Sequence, residues 1–153
     1  MALAKRSFLV ARIVLFMAVV VWGIFSPLST PRIPFNQRRA IESITALALA
    51  ERNYAARPPH SWYACEVSEL GDQGLVDEVL ATGTRAGYHF AIRCLQSRGQ
   101  KAESFTITAV PVSLGITGKY AFCADQSGEV WYSENGLASD CLAMRRPVER
   151  KYR

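Results

Sequence analysis

Lys5, Arg6 and Ser7 open onto an apolar run over 8–25 that only Arg12 interrupts. Eighteen such residues can cross the hydrocarbon of a bilayer, or nearly so. That run constrains the fold more than any other feature, because it predicts an anchored or exported chain whose remainder folds away from the cytosol. Residues 1–7 read as a cytoplasmic basic leader-like segment, 8–25 as a transmembrane helix, 26–144 as an extracytoplasmic head and 145–153 as a basic C-terminal tail. A cleaved secretory signal needs small residues at its cut. The run instead ends Trp22-Gly23-Ile24-Phe25-Ser26-Pro27, so the anchor is expected to stay attached. Arg12 lies close enough to the inner end to snorkel toward headgroups. Basic residues flank both sides of the run, so the positive-inside rule does not decide the orientation. The cysteines and the first-helix position favour the N-terminus inside.

The net charge of +5 is carried by the ends. Residues 1–39 hold six basic side chains and no acid, and 145–153 hold five with Glu149. The middle, 40–144, holds seven basic and twelve acidic residues. A nucleic-acid module places its basic stripe on the folded face, with aromatics among the charges, so no nucleic-acid partner is expected. The first cluster suits a membrane flank. Arg145, Arg146, Arg150, Lys151 and Arg153 read as a solvated tail.

Cys65, Cys94, Cys123 and Cys141 all follow the apolar run. None forms a CxxC pair, and His60 and His89 complete no zinc spacing, so no metal site is expected. An even set of well-spaced cysteines beyond an export signal predicts two disulfides in an oxidising compartment. Four cysteines allow three pairings. Adjacency along the antiparallel meander expected for this part of the chain favours Cys65–Cys94 and Cys123–Cys141.

Pro27, Pro31 and Pro34 should kink or break the helix as it leaves the membrane. Over 36–56, Ile41, Ile44, Leu47, Ala48, Tyr54 and Ala55 recur at three- and four-residue spacing and form one apolar face. Glu42, Glu51 and Arg52 are read onto the opposite side, and Arg57-Pro58-Pro59 stops the helix. Short helical turns are expected over 65–80, interrupted by Gly71 and Gly74. Four strands follow. Tyr88, Phe90 and Ile92 alternate with polar or small residues, as do Phe105, Ile107 and Ala109, and shorter strands cover 120–124 and 129–133. Short connections predict an antiparallel meander, with the 36–56 helix covering its apolar face. The fold class expected is α+β: a long N-terminal helix, membrane-spanning in its first half, packed on a four-stranded antiparallel meander.

This order of elements resembles the type IV pilins and the pseudopilins of type II secretion. Ala40-Ile41-Glu42-Ser43-Ile44 through Tyr54-Ala55 is similar to their helix. Gly87-Tyr88-His89-Phe90, Gly118-Lys119-Tyr120-Ala121-Phe122 and Asp125-Gln126-Ser127-Gly128-Glu129-Val130 resemble the sheet of their heads. The resemblance implies prepilin cleavage between Ser7 and Phe8, although Ser7 stands where the family has glycine. It also implies an assembly role for the fifth residue after the cut. The family usually has glutamate there, to neutralise a neighbour's N-terminal amine, and this chain has Arg12. A cation at that place opposes packing in a low-dielectric filament core. The resemblance further implies that a Cys123–Cys141 bridge bounds the C-terminal part of the head.

The sequence holds no GxSxG, Walker loop, dinucleotide fingerprint or HExxH. Glu66 and Glu69 read as a solvated face, His89 as an outward strand residue, and Trp62, Tyr63, Trp131 and Tyr132 as core. No catalytic residue and no cofactor are expected. The expected function is structural: a membrane-anchored pilin-like or pseudopilin-like subunit, minor or non-canonical, of a type IV pilus or type II secretion system. Its partners would be the lipid bilayer and other such subunits. Its place would be the bacterial inner membrane, single-pass, with the head in the periplasm or cell exterior. The rival reading is a monomeric membrane-anchored periplasmic binding module that inherited the pilin fold.

Overall fold

The computed structural model describes residues 32–96 and 101–149. The span 8–25, the cleavage pair Ser7 and Phe8, Arg12, residues 97–100 and the final residues from 150 lie outside the described residues.

Helix α1 (Ile33–Ala56) begins three residues before the expected boundary. Pro34, expected with Pro27 and Pro31 to kink or break the helix that leaves the membrane, sits in the first turn of α1, where the missing N–H has no helical partner to lose. Ala40, Ile41, Ile44, Leu47, Ala48 and Tyr54 are buried, as their spacing predicts. Glu42 is exposed and pairs with Arg38 at 3.3 Å and Arg39 at 3.2 Å. Two short helices follow, α2 (Val67–Asp72) and α3 (Glu78–Ala81). The Asp77 side chain caps α3 by accepting from the Leu80 N–H at 3.0 Å. That bond, helped by Arg85, holds the Asp77 carboxyl below its ordinary range.

The sheet corrects the expected architecture. It has six strands, not four, in the sequential order β1 (Thr84–Arg85), β2 (Tyr88–Gln96), β3 (Ala102–Pro111), β4 (Ala121–Asp125), β5 (Val130–Ser133) and β6 (Arg146–Pro147), antiparallel throughout. The four inner strands lie near their predicted positions. The two edges are two-residue strands, too short to show an alternation. Local geometry and pairing specify them instead. Ala86 and Gly87 both take positive φ, 49° and 73°, the two-residue hairpin turn that pairs Arg85 with Tyr88. Pro147 is tolerated because β6 is an edge. The membrane-spanning half of the expected helix is also without support here: among the described residues no helix is long and apolar enough to cross a membrane.

β4 explains the layering, since all five of its residues are buried. Phe122 and Ala124 join the main core with α1. Cys123 joins a second cluster with Trp131 and Cys141 on the opposite face. There α4 (Ala138–Met144) covers the sheet, an element that the sequence pattern does not announce. The chain then returns to the sheet rather than leaving it as a tail. The Val148 N–H donates to the Val130 carbonyl at 3.0 Å, and Val148 is buried.

Gly118 is fixed by close approach. A Cβ there would lie 2.1 Å from the Tyr88 hydroxyl. Tyr88 is fully buried, and its hydroxyl donates to the Tyr120 carbonyl at 3.0 Å. Burial pushes the Tyr88 phenol well above its ordinary pKa.

Candidate functional site

Both predicted disulfides are present. Cys65–Cys94 ties the segment after α1 to β2, with Cα atoms 5.4 Å apart. Cys123–Cys141 ties α4 to β4, with Cα atoms 6.0 Å apart. Each separation falls within the range a disulfide spans.

The polar centre of the head lies beside the first bridge, where the last turns of α1 meet the connecting segment. Glu51 is completely buried, contrary to the expectation that it faces solvent. One carboxyl oxygen accepts from the Ala64 N–H at 2.9 Å, and the other has no partner. Burial pushes its pKa from the usual 4.5 to about 8, against the lowering effect of the Ala64 bond and with a smaller push from Glu69. Helical spacing held the signal. Position 51 lies four residues from Leu47 and three from both Ala48 and Tyr54, within the apolar stripe. Only its residue type pointed outward.

Glu69 is also drawn inward. It sits in the first turn of α2, receives the Tyr54 hydroxyl, and accepts from the Cys65 N–H at 3.3 Å. The Glu69 carboxylate thus reaches back past the N-cap residue, Glu66, to the backbone just before the helix. Its neighbour Glu66 remains exposed, as predicted. Burial, with the Glu69 bond and the Glu69 and Glu51 charges, pushes the Tyr54 phenol up to about 12.

His60 stacks on Tyr54 with ring centroids 4.2 Å apart and meets Trp62 edge-on at 5.2 Å. Its Nδ1 is buried without a partner. The Lys101 ammonium lies 5.0 Å from the Trp62 ring centre. Glu51, Tyr54, His60, Trp62 and Glu69 thus form one aromatic and carboxyl cluster under the Cys65–Cys94 bridge. A carboxyl raised toward neutrality is suited to proton transfer. Here Glu51 is sealed at 0 % exposure and Tyr54 at 3 %, so the cluster acts first as a clamp between α1 and the chain that leaves it.

The remaining predicted aromatics divide between core and cleft. Trp131 is buried, with the Arg145 guanidinium 4.8 Å from its ring centre and an Arg145–Asp125 ion pair at 3.5 Å. Tyr63 packs edge-on against Phe105 at 4.8 Å. Tyr132 lies 5.6 Å from Tyr120 in a cleft of about 110 Å³ that Gln37, Phe122, Glu134 and Glu149 also line. That is below the roughly 300–1,000 Å³ of most small-molecule sites. A broader, open groove of about 400 Å³ runs between α2, the end of α3 and β2. Exposed His89 stands at it, as its strand alternation predicts. Among the described residues no cluster of histidine, cysteine and acid side chains is arranged to hold a metal ion.

No protein-family model matches the chain, and neither a curated protein nor a solved structure matches it.

Proposed function

We propose that the protein is a structural subunit, pilin-like or pseudopilin-like in role and minor or non-canonical, that works by contacts rather than catalysis. It is held at the bacterial inner membrane by residues 8–25, with its head in the periplasm or cell exterior. The observation that carries this reading is the bare outer face of α1. Arg38, Thr45, Ala46, Leu49 and Asn53 are exposed on a helix of 24 residues whose other face is committed to the sheet. Small side chains at Thr45 and Ala46 let another helix approach closely. The two disulfides support an oxidising compartment for the head. Burial of the Glu51 cluster favours a structural over a catalytic role. The rival reading, a monomeric binding module, finds its support in the cleft beside Tyr120 and Tyr132, whose small volume argues against it.

The test is photo-crosslinking in cells, with a benzophenone-bearing amino acid at position 46 of the full chain. Discrete adducts with a second copy or with another membrane-held subunit are expected. Monomer alone, in cells that carry a pilus or secretion machine, refutes the subunit reading.

A further inference from the structure

Exposed apolar side chains gather at one end of the head. Val112, Leu114 and Ile116 are 62 %, 59 % and 74 % exposed, all on the loop between β3 and β4. Leu137 and Phe35 join them at 52 % and 59 %. Scattered exposed leucines are ordinary on a soluble surface, but a contiguous group of this kind marks a contact. The loop is held in place. The Asn36 amide donates to the Thr117 carbonyl at 2.9 Å, the Lys119 N–H to Gln37 at 3.4 Å, and the Val112 N–H to the Gly87 carbonyl at 2.9 Å. Leu114 lies against Gly136, beside Leu137, with only 2.4 Å left for a Cβ there. The group therefore surrounds the start of α1.

Two further facts select the occupant. Seven residues, 26–32, join the apolar run to Ile33, and fully extended they reach at most about 25 Å. The same end also carries exposed cations, Arg32 and Lys119, with Arg38 and Arg39, which share the one carboxylate of Glu42. Apolar side chains ringed by cations suit the boundary between anionic headgroups and acyl chains.

We propose that this end of the head docks on the bilayer, with Val112, Leu114 and Ile116 seated among headgroups and upper acyl chains. The inference rests on the reading of 8–25 as the membrane-held segment. The head then sits against the membrane with the start of α1 downward, which leaves the outer face of α1 rising away from the lipid.

The test uses the full chain reconstituted in vesicles of phosphatidylethanolamine and phosphatidylglycerol. A benzophenone-bearing amino acid is placed at position 116 or at position 95, where Leu95 is 70 % exposed near the end of β2. Intact disulfides on non-reducing gels verify the fold of each form. Mass spectrometry after illumination is expected to find lipid adducts at 116 and none above background at 95. Replacing Leu114 and Ile116 together by aspartate should abolish lipid capture by the same probe at position 112. Adducts at 116 with a second copy and not with lipid, or equal lipid capture at 116 and 95, overturn the docking alone. A chain that fails to float with the vesicles overturns the membrane-held reading as well.

Discussion

Glu51→Gln isolates the cost of the buried carboxyl. In the folded head the Glu51 pKa is about 8, against 4.5 for the free group. Between those values the unfolded chain has released this proton and the folded chain has not, so stability falls as pH rises. The slope is about 1.4 kcal/mol per pH unit, so the loss reaches about 3 kcal/mol at pH 7 and levels off above the folded pKa. Below pH 4.5 both states hold the proton and the penalty vanishes. Glutamine keeps an oxygen for the Ala64 N–H and cannot ionise. The two forms should therefore differ by less than about 1 kcal/mol at pH 4.5, and the variant should be more stable by about 3 kcal/mol at pH 7. Urea unfolding of the full chain in mild detergent, disulfides intact and followed by near-ultraviolet circular dichroism, gives both values across pH 4–9. Comparing the forms cancels the titrating groups that do not interact with Glu51, including Asp77, whose lowered pKa costs stability only as pH falls through the acid range. Parallel profiles for the two forms would falsify the burial argument.

Peptide mapping without reductant should recover Cys65–Cys94 and Cys123–Cys141 from protein made in its native compartment, and four free thiols there would contradict the export reading. Replacing Cys123 and Cys141 together by serine should cost about 3 kcal/mol in urea unfolding, because the bridge closes a segment with a sequence separation of 18. Gly118→Ala should destabilise by about 1–3 kcal/mol, since its Cβ meets the Tyr88 hydroxyl. Tyr88→Phe should recover part of that loss in a double-mutant cycle, and additivity of the two changes would show that the contact is not the cause. Arg12→Glu should raise the yield of subunit adducts in cells with the assembly machinery, provided the chain is cut before Phe8; abundant filaments from the natural sequence would contradict the electrostatic reasoning.

The parts of the fold legible in the sequence are those in which a period repeats. The apolar face of α1 recurs along a helix of 24 residues, and β2 alternates from Tyr88 to Arg93 and β3 from Phe105 to Ala109. The disulfide partners follow sequence adjacency as expected, although neither bridge joins two strands: Cys65 precedes α2 and Cys141 lies in α4. What escapes has no period to show. β1 and β6 are two residues each, and α4 is a seven-residue helix whose cover over Cys123 exists only because β4 is buried on both faces. Periodicity therefore undercounts the sheet at its edges while placing its centre.

Glu51 escapes for a different reason, and it ties the candidate site to the architecture. Its position satisfies the helical period while its charge opposes it, and charge alone argues for solvent. Burial leaves the carboxyl an obligation that only the segment after α1 can meet, through the Ala64 N–H. Tyr54, one turn on, reaches Glu69 at the start of α2. Between these two attachments lie ten residues, 57–66, without regular secondary structure. A segment of that kind has no ladder of its own to fix its path. The buried carboxyl, the phenol and the Cys65–Cys94 bridge supply that path instead, with the Tyr63 N–H bonded to the Ala102 carbonyl at 3.2 Å, which accounts for a costly acid in the core. The same account requires Glu51→Ala, unlike Glu51→Gln, to loosen the 57–66 segment. Faster amide exchange at Ala64 and Cys65, with β3 unchanged, is the expected signature; protection equal to that of the natural protein would show that the Glu51 carboxyl does not fix the segment.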